Sequence, residues 1–351
     1  MVAARHECRQ PPGALLPPAS APGLPVRSRT RPCAVRAPPG EALVAVASPV
    51  AVVIASRNRA AQLAETLPRH LALPERPRVV LVDDASTDVT ADMVRRRFPD
   101  VEVLQMRRSV GGAARNAGLR ALEEPYAALC DDDSWFEPGS LARAAELLDR
   151  HPRLAVVNAT ILVGPEARVD GICEEMRRTP LPAADGQPGY PLLSFVACAV
   201  VVRRAAILEV GGFSPRLGVG GEEELLGWDL AAAGWQMSYV PEVVAHHDPP
   251  PSNGRPERRE RGVRNTLWTT WLRRPAGPAV ARTIKLLRRL PPDAVSARGV
   301  ARALAGAPWV LRERRVSPPH VEAMRALLEE QQLTSTSRRY DEGYRRRLRR
   351  A

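Results

Sequence analysis

Short, almost wholly apolar runs constrain the fold of this chain more than any other sequence feature. Five of them precede residue 163, and helical stretches separate them: 50–55, 79–82, 101–104, 126–130 and 154–162. Strands that are apolar on both faces are typical of sheets covered by helices on both sides, and helical connections favour parallel neighbours. We therefore predict an α/β fold, with a doubly wound and largely parallel sheet flanked by helices.

Finer boundaries follow from the same pattern. The predicted helices in the first half are 60–73, 86–97, 111–124 and 138–150. Residues 164–192 are rich in Gly, Pro and charge, which predicts a loop that lines a cleft. A further small-residue strand is expected over 194–202, and a last strand is expected to end near His246-His247.

Composition divides the chain into three predicted parts. Residues 1–48 contain nine prolines without hydrophobic periodicity, which predicts a disordered leader. Residues 49–253 form the predicted α/β domain, and residues 254–351 form a predicted basic, helical C-terminal extension. Residues 255–351 hold 24 Lys and Arg against nine Asp and Glu, a net charge of +15, whereas 49–254 carry −7. The basic character therefore belongs to the tail, and we recognise no nucleic-acid-binding module.

The cysteines and the apolar runs predict a cytoplasmic protein. Five Cys occur without a C-x-x-C pair, which argues against a disulfide framework or a zinc site and favours a reducing compartment. No stretch approaches the roughly 18–20 apolar residues that a bilayer-spanning helix needs. Prolines interrupt every apolar run after Arg5 and Arg9, so no signal peptide is expected. Peripheral contact with the inner face of the membrane is left open because the tail is basic.

Three consecutive carboxylates, Asp131, Asp132 and Asp133, follow the fourth apolar run. Burying them together is costly unless a cation meets them. At the end of a strand in an α/β pattern, a divalent metal that carries a phosphorylated ligand would meet that need. A second acidic strand end, Asp83-Asp84, lies upstream, and Gly111-Gly112 begins a helix between the two. The combination favours a binding site over the alternative, a solvated turn or a helix cap.

Seven segments resemble, in order and spacing, the family 2 glycosyltransferases. They are VVIASRNR (52–59), VVLVDDASTD (79–88), GGAARNAGL (111–119), ALCDDDS (128–134), VVVRRAAILEVGGF (200–213), GEEELLGWDLAAAGW (221–235) and YVPEVVAHH (239–247). The resemblance implies the GT-A fold, with a Rossmann-like sheet. It also implies inverting transfer of a sugar from a nucleoside-diphosphate donor, UDP-sugar by preference, to a hydroxyl of an unidentified acceptor. The oxygen ligands imply Mn²⁺ or Mg²⁺ as cofactor.

The resemblance also implies a donor site. Asp133 is the expected direct metal ligand, and Asp131 lies nearer the ribose or a metal-bound water. From its position beyond the last strand, His247 is predicted to complete the metal site, with contact to a phosphate as the alternative. At the end of the second strand Asp84, with Asp83 beside it, would accept the imide N–H of uracil. The other residues expected to contact the nucleotide-sugar are Ser56, Arg57, Arg115 and Asp132. For His246-His247, a hydrogen-bonded turn is the competing interpretation.

Gly111-Gly112 and Arg115-Asn116 form the third element of the expected site. The glycines permit close approach to the backbone, the helix N-terminus favours anionic groups, and Arg115 can reach the nucleotide. A tight turn beside a solvated arginine is the alternative.

An acidic helix start supplies the expected catalytic base. An inverting transfer needs a carboxylate opposite the leaving group to take the proton of the acceptor hydroxyl. The family usually has Glu-Asp at this position, whereas this chain has Glu222-Glu223-Glu224. We predict Glu223 as the base, with Glu222 as the second choice. Acidic residues also favour helix N-termini through the helix dipole alone, which is the competing interpretation.

Other interpretations are kept beside this one. A DxD phosphohydrolase would need a lysine beside phosphate, and the single lysine, Lys285, lies in the tail. A sugar-nucleotide-binding protein that has lost catalysis is the second alternative, suggested only by the Glu substitution. Trp228 and Trp235 either line the acceptor cleft or pack in the core. The tail either lies on an anionic membrane surface or packs on the α/β domain, and packing is favoured; its marked residues are Trp268, Trp271, Arg273, Arg274, Lys285, Arg288 and Arg289.

Overall fold

The strands form one mixed sheet. The computed structural model describes residues 48–249 and 256–334, so the expected leader and the predicted boundary at residue 253 lie outside the described residues. The strands are β1 Val50–Ser56, β2 Val79–Asp83, β3 Val101–Gln105, β4 Tyr126–Cys130, β5 Ser134–Phe136, β6 Leu154–Val163, β7 Arg168–Val169, β8 Tyr190–Pro191, β9 Val200–Arg203 and β10 Gln236–His247. Within the described residues their order is β3-β2-β1-β4-β9-β6-β10-β5, with β7 beside β6 and β8 beside β10.

The long ladders of the sheet are parallel, as expected. β1 pairs in parallel with β2 and β4, β2 pairs with β3, and β10 pairs with β6. β9 is the exception, because it runs antiparallel between β4 and β6. The chain leaves β6 and returns through residues 164–199 to the same edge of the sheet, so β9 has to run back in the opposite direction. The strand predicted over 194–202 begins only at Val200 and ends at Arg203.

Helices connect and cover the strands. They are α1 Ala60–Leu71, α2 Thr90–Arg97, α3 Arg115–Ala121, α4 Ser140–Arg150, α5 Gly171–Arg177, α6 Arg204–Glu209, α7 Glu222–Ala232, α8 Pro256–Arg273, α9 Ala276–Arg289, α10 Ala294–Ala305, α11 Ala307–Arg312 and α12 Pro319–Thr334. The main core joins the buried strands to apolar side chains such as Leu63 of α1 and Leu141 of α4. The predicted α/β fold, flanked by helices and followed by a helical C-terminal region, is confirmed.

Several details differ from the prediction. The helix expected over 86–97 begins only at Thr90. The helix expected over 111–124 begins as a 3₁₀ turn, Gly111–Ala114, and its α-helical part ends at Ala121. The helix expected from residue 138 begins at Ser140, because Gly139 holds a left-handed φ of +86° that is not helical. Residues 134–136 form the unpredicted strand β5, since they pair with the end of β10.

The segment 164–192 was expected to be a loop. It contains the short elements β7, α5 and β8. α5 begins with a side-chain cap, because Asp170 accepts a hydrogen bond from the backbone N–H of Ile172 at 3.0 Å. β8 is held to the sheet by its antiparallel pairing with β10. The segment is therefore partly ordered by regular structure that its composition did not indicate.

The C-terminal helices pack against α7. Leu217 and Leu225 share a buried apolar cluster with Trp268 of α8, whose Nε1 donates to a backbone carbonyl of α10 at 2.9 Å. Arg273 of α8 makes two hydrogen bonds to the carboxylate of Asp229 in α7. These contacts confirm the packing interpretation for this part of the tail, which the hydrophobic effect stabilises.

Buried arginines join α12 to the end of α8 and to α7. Arg274, 4% exposed, pairs with Glu322 and Glu329. Arg325, 3% exposed, pairs with Glu322 and lies 3.6 Å above the ring of Trp228. Trp228 is thus a core residue beneath the extension and does not line a cleft. Cations that are buried with their partners in this way belong to the packing of the extension.

Candidate active site

Four of the residues singled out in the sequence lie at the ends of strands on one edge of the sheet. Ser56 ends β1, Asp83 ends β2, Asp131 follows β4 and His247 ends β10. β1, β2 and β4 run in parallel, and β6 and β10 share their direction because β9 is antiparallel to both β4 and β6. Ligands bind at the carboxyl ends of the strands in open α/β sheets. This edge is therefore the candidate active site.

Hydrogen bonds fix the turn that carries the three aspartates. The Oγ of Ser134 accepts from the backbone N–H of Asp131 at 2.9 Å and donates to the carbonyl of Cys198 at 2.8 Å. The Oγ of Thr66 in α1 donates to the carbonyl of Asp132 at 2.9 Å. The turn is therefore tied to both α1 and the start of β9, which makes it a rigid platform.

Asp132 faces the protein. Its carboxylate accepts from the Oγ of Ser56 at 2.7 Å and lies 3.7 Å from the Nε of Arg59. Burial raises the pKa of Asp132 to about 6, and the negative charge of Asp133 adds to the rise. The expected contacts of Asp132 and Ser56 with a nucleotide-sugar compete with the bond that these two residues make to each other.

Asp133 and His247 form the candidate metal position. The Oδ1 of Asp133 is buried and makes no hydrogen bond within the described residues, and the Nε2 of His247 lies 3.4 Å from it. Asp131, the other expected ligand, directs Oδ1 to the guanidinium of Arg115. Nowhere in 48–249 or 256–334 do three or more His, Cys, Asp or Glu side chains form a group that could hold a metal ion. The donors fit a cation that takes its other ligands from water and a diphosphate, as Mg²⁺ does.

Asp83 and Asp84 have different surroundings although they are adjacent. The carboxylate of Asp84 accepts three hydrogen bonds from residues 109–111: from Ser109 Oγ at 2.6 Å, from the N–H of Val110 at 2.7 Å and from the N–H of Gly111 at 2.9 Å. Asp83 is fully buried, and its Oδ2 makes no hydrogen bond to any described residue. Asp84 therefore stabilises the 109–111 loop. The Oδ2 atom of Asp83 is the carboxylate oxygen that could accept a hydrogen bond from a ligand.

Arg115 connects the aspartate turn to α7. It is 6% exposed, its guanidinium pairs with Asp131, and its Nη1 donates to the carbonyl of Gly112 at 3.4 Å. Burial alone would lower the pKa of Arg115, but the negative charges of Asp131, Glu222 and Glu223 raise it above its ordinary value. Arg115 is thus a buried cation between two acidic groups, and its ion pair is with Asp131.

Other parts of the protein lie close to the paired glycines; their expected contact with a ligand stays a prediction. Gly111 has a φ of +63°, and a Cβ there would lie 2.8 Å from the backbone of Gly218. The N–H of Gly112 donates to the carbonyl of Gly218 at 2.8 Å, and a Cβ on Gly112 would lie 2.5 Å from Oε1 of Glu222. Because residues 111 and 112 lack side chains, Gly218 and Glu222 can lie against their backbone.

Glu222 and Glu223 form an adjacent acidic pair at the start of α7. Glu222 is 2% exposed and its Oε2 makes no hydrogen bond to any part of the chain that the structure describes. Burial raises the pKa of both carboxyl groups, and for Glu222 the charge of Glu223 adds to the rise. Glu223 is only partly buried. The pair can therefore hold a proton near neutral pH, and Glu223 is the member with more access to solvent.

Other residues from the sequence analysis lie elsewhere. His246 bonds Glu137 at 2.9 Å and stacks on Trp135 with ring centroids 5.1 Å apart, so it supports β5 and β10. Arg57 is exposed beyond the end of β1. The Nε1 of Trp235 donates to Glu209 at 3.1 Å, which makes it a partly exposed packing residue.

Sequence reasoning missed the residues that support the site. Thr66 and Ser134 anchor the aspartate turn, and Ser109 fixes Asp84. For Ser134 the signal was available, because a Ser three residues after Asp131 is a frequent turn residue. The others come from distant segments, and only the fold brings them together.

Comparisons with known proteins show which family this chain resembles. The model of the family described as Glycosyl transferase family 2 matches residues 51–211. The pre-mycofactocin glycosyltransferase of Mycobacterium tuberculosis is 33% identical over 215 residues, which are 57% of this chain and 42% of that protein. The chain thus spans less than half the length of this relative. An uncharacterized glycosyltransferase of Mycobacterium bovis is 32% identical over 181 residues, 49% of this chain and 76% of that protein.

Solved structures show the same fold. A mannosyltransferase from Pyrobaculum calidifontis, in complex with GDP-Man and Mn²⁺, has a TM-score of 0.51 at 20% identity and covers 85% of this chain and 86% of its own. S. aureus TarS 1–349 in complex with UDP-GlcNAc has a TM-score of 0.54 at 16% identity, with coverages of 85% and 91%. At such identities the likeness shows the fold alone, and it confirms the expected GT-A architecture.

Proposed function

Because the chain belongs to glycosyl transferase family 2 and is a glycosyltransferase, we propose that it transfers a sugar, with inversion, from a nucleoside diphosphate to a hydroxyl group. One observation carries this proposal. Arg115 lies between Asp131, in the turn that holds the candidate metal position, and the pair Glu222 and Glu223. A donor diphosphate near the turn would thus be close to the carboxylates that can serve as base. UDP is the preferred nucleotide.

The nucleoside would bind at the ends of β1 and β2. The buried and unpartnered Oδ2 of Asp83 supports a contact with an N–H of the base, because a buried acceptor without a donor is costly. The sequence favours Asp84 for this contact, but its three bonds to residues 109–111 support a role in shaping the pocket. Arg57, which is exposed, would reach the nucleoside from the end of β1.

Asp133 and His247 would hold the divalent cation, Mn²⁺ or Mg²⁺. The cation would neutralise charge that develops on the diphosphate leaving group. Arg115 keeps Asp131 paired, so Asp131 would contact the cation through water or bind the ribose. The complex of the Pyrobaculum mannosyltransferase with GDP-Man and Mn²⁺ supports this assignment by analogy of fold.

Glu223 would act as the catalytic base. Its carboxylate takes the proton from the acceptor hydroxyl as that oxygen attacks the sugar carbon, and the diphosphate leaves from the opposite side. Glu222 is 2% exposed and packed against Gly112, so it has little access to an acceptor. We assign Glu222 to positioning: in its protonated form it can donate a hydrogen bond to Glu223 and keep that carboxylate ionised.

We also propose that the acceptor is reached at a membrane surface, and α9 supports such peripheral contact. Val280, Ile284 and Leu287 lie four and three residues apart and are 43–45% exposed, with the exposed Arg288 next in sequence. An apolar stripe beside cations favours anionic lipid. No helix among the described residues has the length and apolar content to cross a bilayer. Binding to phosphatidylglycerol vesicles that is lost in Ile284→Glu would support the contact, and unchanged binding would oppose it. The cytoplasmic location stays a prediction.

A metal-dependent thermal-shift experiment tests the donor site. UDP, GDP, TDP and CDP are each added with and without Mn²⁺ to the full chain and to Asp133→Asn. We expect one nucleotide to stabilise the protein with metal and to lose that effect in the variant. Stabilisation by the nucleotide without transfer of sugar would favour the alternative of a catalytically degenerate binding protein. The phosphohydrolase alternative has little support, because Lys285 lies in α9 at 3.9 Å from Glu329.

A further inference from the structure

The segment that leads into the acidic pair has little rigidity of its own. Residues 217–221, which we call the base loop, contain Gly218, Gly220 and Gly221, all with left-handed φ angles between +74° and +99°. Added Cβ atoms at Gly218 and Gly220 would meet nothing within 4 Å among the described residues. Glycine loses the most conformational freedom on folding, so a loop of this composition needs outside contacts to hold one geometry.

Those contacts come from α8 of the C-terminal extension. The amide of Asn265, 1% exposed, donates from Nδ2 to the carbonyl of Leu217 at 3.0 Å and to the carbonyl of Gly220 at 2.5 Å. Its Oδ1 accepts from the Nε of Arg264 at 2.9 Å, and Arg264 also donates to the carbonyl of Leu217 at 2.8 Å. One buried amide thus joins the first residue of the base loop to a residue just before α7.

The base loop faces the active site on its other side. Gly218 accepts the hydrogen bond from the N–H of Gly112, and the side chain of Glu222 packs against Gly112 directly after the loop. A shift of the loop would therefore move Glu222 and Glu223 relative to Arg115. Proton transfer depends steeply on such distances, since a displacement of about 1 Å can cost about a hundredfold in rate.

We propose that Asn265 is a positioning residue for the catalytic base, acting through the base loop. The inference rests on the proposed function for its kinetic consequence, although the hold on the loop can be measured separately. The extension contacts the body of α7 through other residues, Arg273 on Asp229 and Arg282 on Glu224. These ion pairs hold α7 against the extension, whereas Asn265 and Arg264 bind the base loop that precedes α7.

Asn265→Asp and Asn265→Ala test the proposal in the full chain. Asp has the shape of Asn but sets an acceptor against two carbonyl oxygens, and Ala removes the donor without adding charge. Asp293→Ala is the control, because Asp293 caps α10 of the same extension through the N–H of Ser296 and makes no bond to the base loop. Hydrogen exchange of peptides covering 217–224 is measured together with kcat and the KM for the nucleotide-sugar.

Both Asn265 variants should exchange faster over 217–224 and lose at least about tenfold in kcat, with the donor KM within about twofold of the parent. If Asn265→Asp does not fold, Asn265→Ala decides. Unchanged exchange, unchanged kcat, or an equal loss in Asp293→Ala would overturn the proposal, the last because it would show general destabilisation. A parent protein without turnover of any nucleotide-sugar would refute the proposed function instead, and the exchange data would still show whether Asn265 holds the loop.

Discussion

The carboxylate of Glu222 lies against the α-carbon of Gly112, so close that a Cβ on that glycine would stand 2.5 Å from Oε1 and 3.1 Å from Cδ. Two segments that are 110 residues apart in the chain thus share one packing contact. Gly112 does not have a left-handed φ, so the contact and not the backbone conformation requires glycine there. The position of Glu222 therefore depends on the lack of a side chain at residue 112.

Gly112→Ala should therefore displace Glu222 while the backbone stays unstrained. We expect kcat to fall by about tenfold to a hundredfold, with nucleotide affinity retained, as measured by steady-state kinetics and by titration of the nucleotide. Gly277→Ala is the matched control, because a Cβ there meets nothing within 4 Å and should leave kcat unchanged. Full activity in Gly112→Ala would show that the position of Glu222 is not critical.

The two members of the acidic pair should respond differently to amide substitution. Glu223→Gln removes the proposed base and should lower kcat at least about a hundredfold, since general base catalysis contributes about 10²–10⁴-fold. Glu222→Gln keeps a neutral donor beside Glu223 and should lose less than about tenfold. An active Glu223→Gln beside an inactive Glu222→Gln would move the base to Glu222.

The same pair predicts the pH dependence of the parent enzyme. Because burial raises the pKa of Glu223, its basic form appears only above the ordinary carboxyl value of about 4.3. The kcat should accordingly rise with pH, with a midpoint above that value. A flat kcat between pH 4.5 and the pH optimum, all measured on protein shown to be folded, would contradict the assignment.

Asp83→Asn and Asp84→Asn separate ligand binding from loop support. Asp83→Asn should weaken nucleotide binding by about tenfold, as expected for loss of one hydrogen bond to a charged group, without a large change in stability. Asp84→Asn disturbs up to three bonds and should lower the free energy of unfolding by about 1–3 kcal/mol. Isothermal titration and urea unfolding measure the two effects. Weaker nucleotide binding in Asp84→Asn alone, at unchanged stability, would return the base contact to Asp84.

His70 predicts a loss of stability in acid. It is fully buried, its Nε2 bonds the carbonyl of Ser134 at 3.1 Å, and burial lowers its pKa from 6.5 to about 4. Between these values the unfolded chain binds more protons than the native state, so stability falls as the pH is lowered from about 6.5 to about 4. The full effect is about 3 kcal/mol. His70→Gln should unfold in urea with a smaller pH dependence than the parent, and equal slopes would contradict the prediction.

The strand ends could be predicted from the sequence because a short run of neighbouring residues determines each of them. Val79 to Asp83 and Tyr126 to Cys130 are apolar runs that stop at carboxylates, and chain direction within parallel strands places such stops on one edge. The direction of β9 was not available in the same way. It depends on the path of residues 164–199, which have no hydrophobic period that shows where they return to the sheet.

The partners of the expected site residues depended on tertiary structure. Asp83 and Asp84 are chemically alike and adjacent, yet one supports the 109–111 loop and the other keeps a free oxygen, because successive side chains at a strand end point in opposite directions. The glycines at 111 and 112 indicated a close approach, and the fold shows that the backbone of Gly218 and the side chain of Glu222 lie there.

The sequence by itself determined the α/β class, the edge of the sheet that carries the carboxylates and the acidic start of α7, since hydrophobic period and strand ends are properties of short segments. The fold decided which carboxylate pairs with Arg115, which oxygen of Asp133 stays without a hydrogen bond, and that Asn265 reaches the base loop. Such pairings join residues that are distant in the chain, so their distances and burial, and with them their pKa values, exist only once the chain is folded.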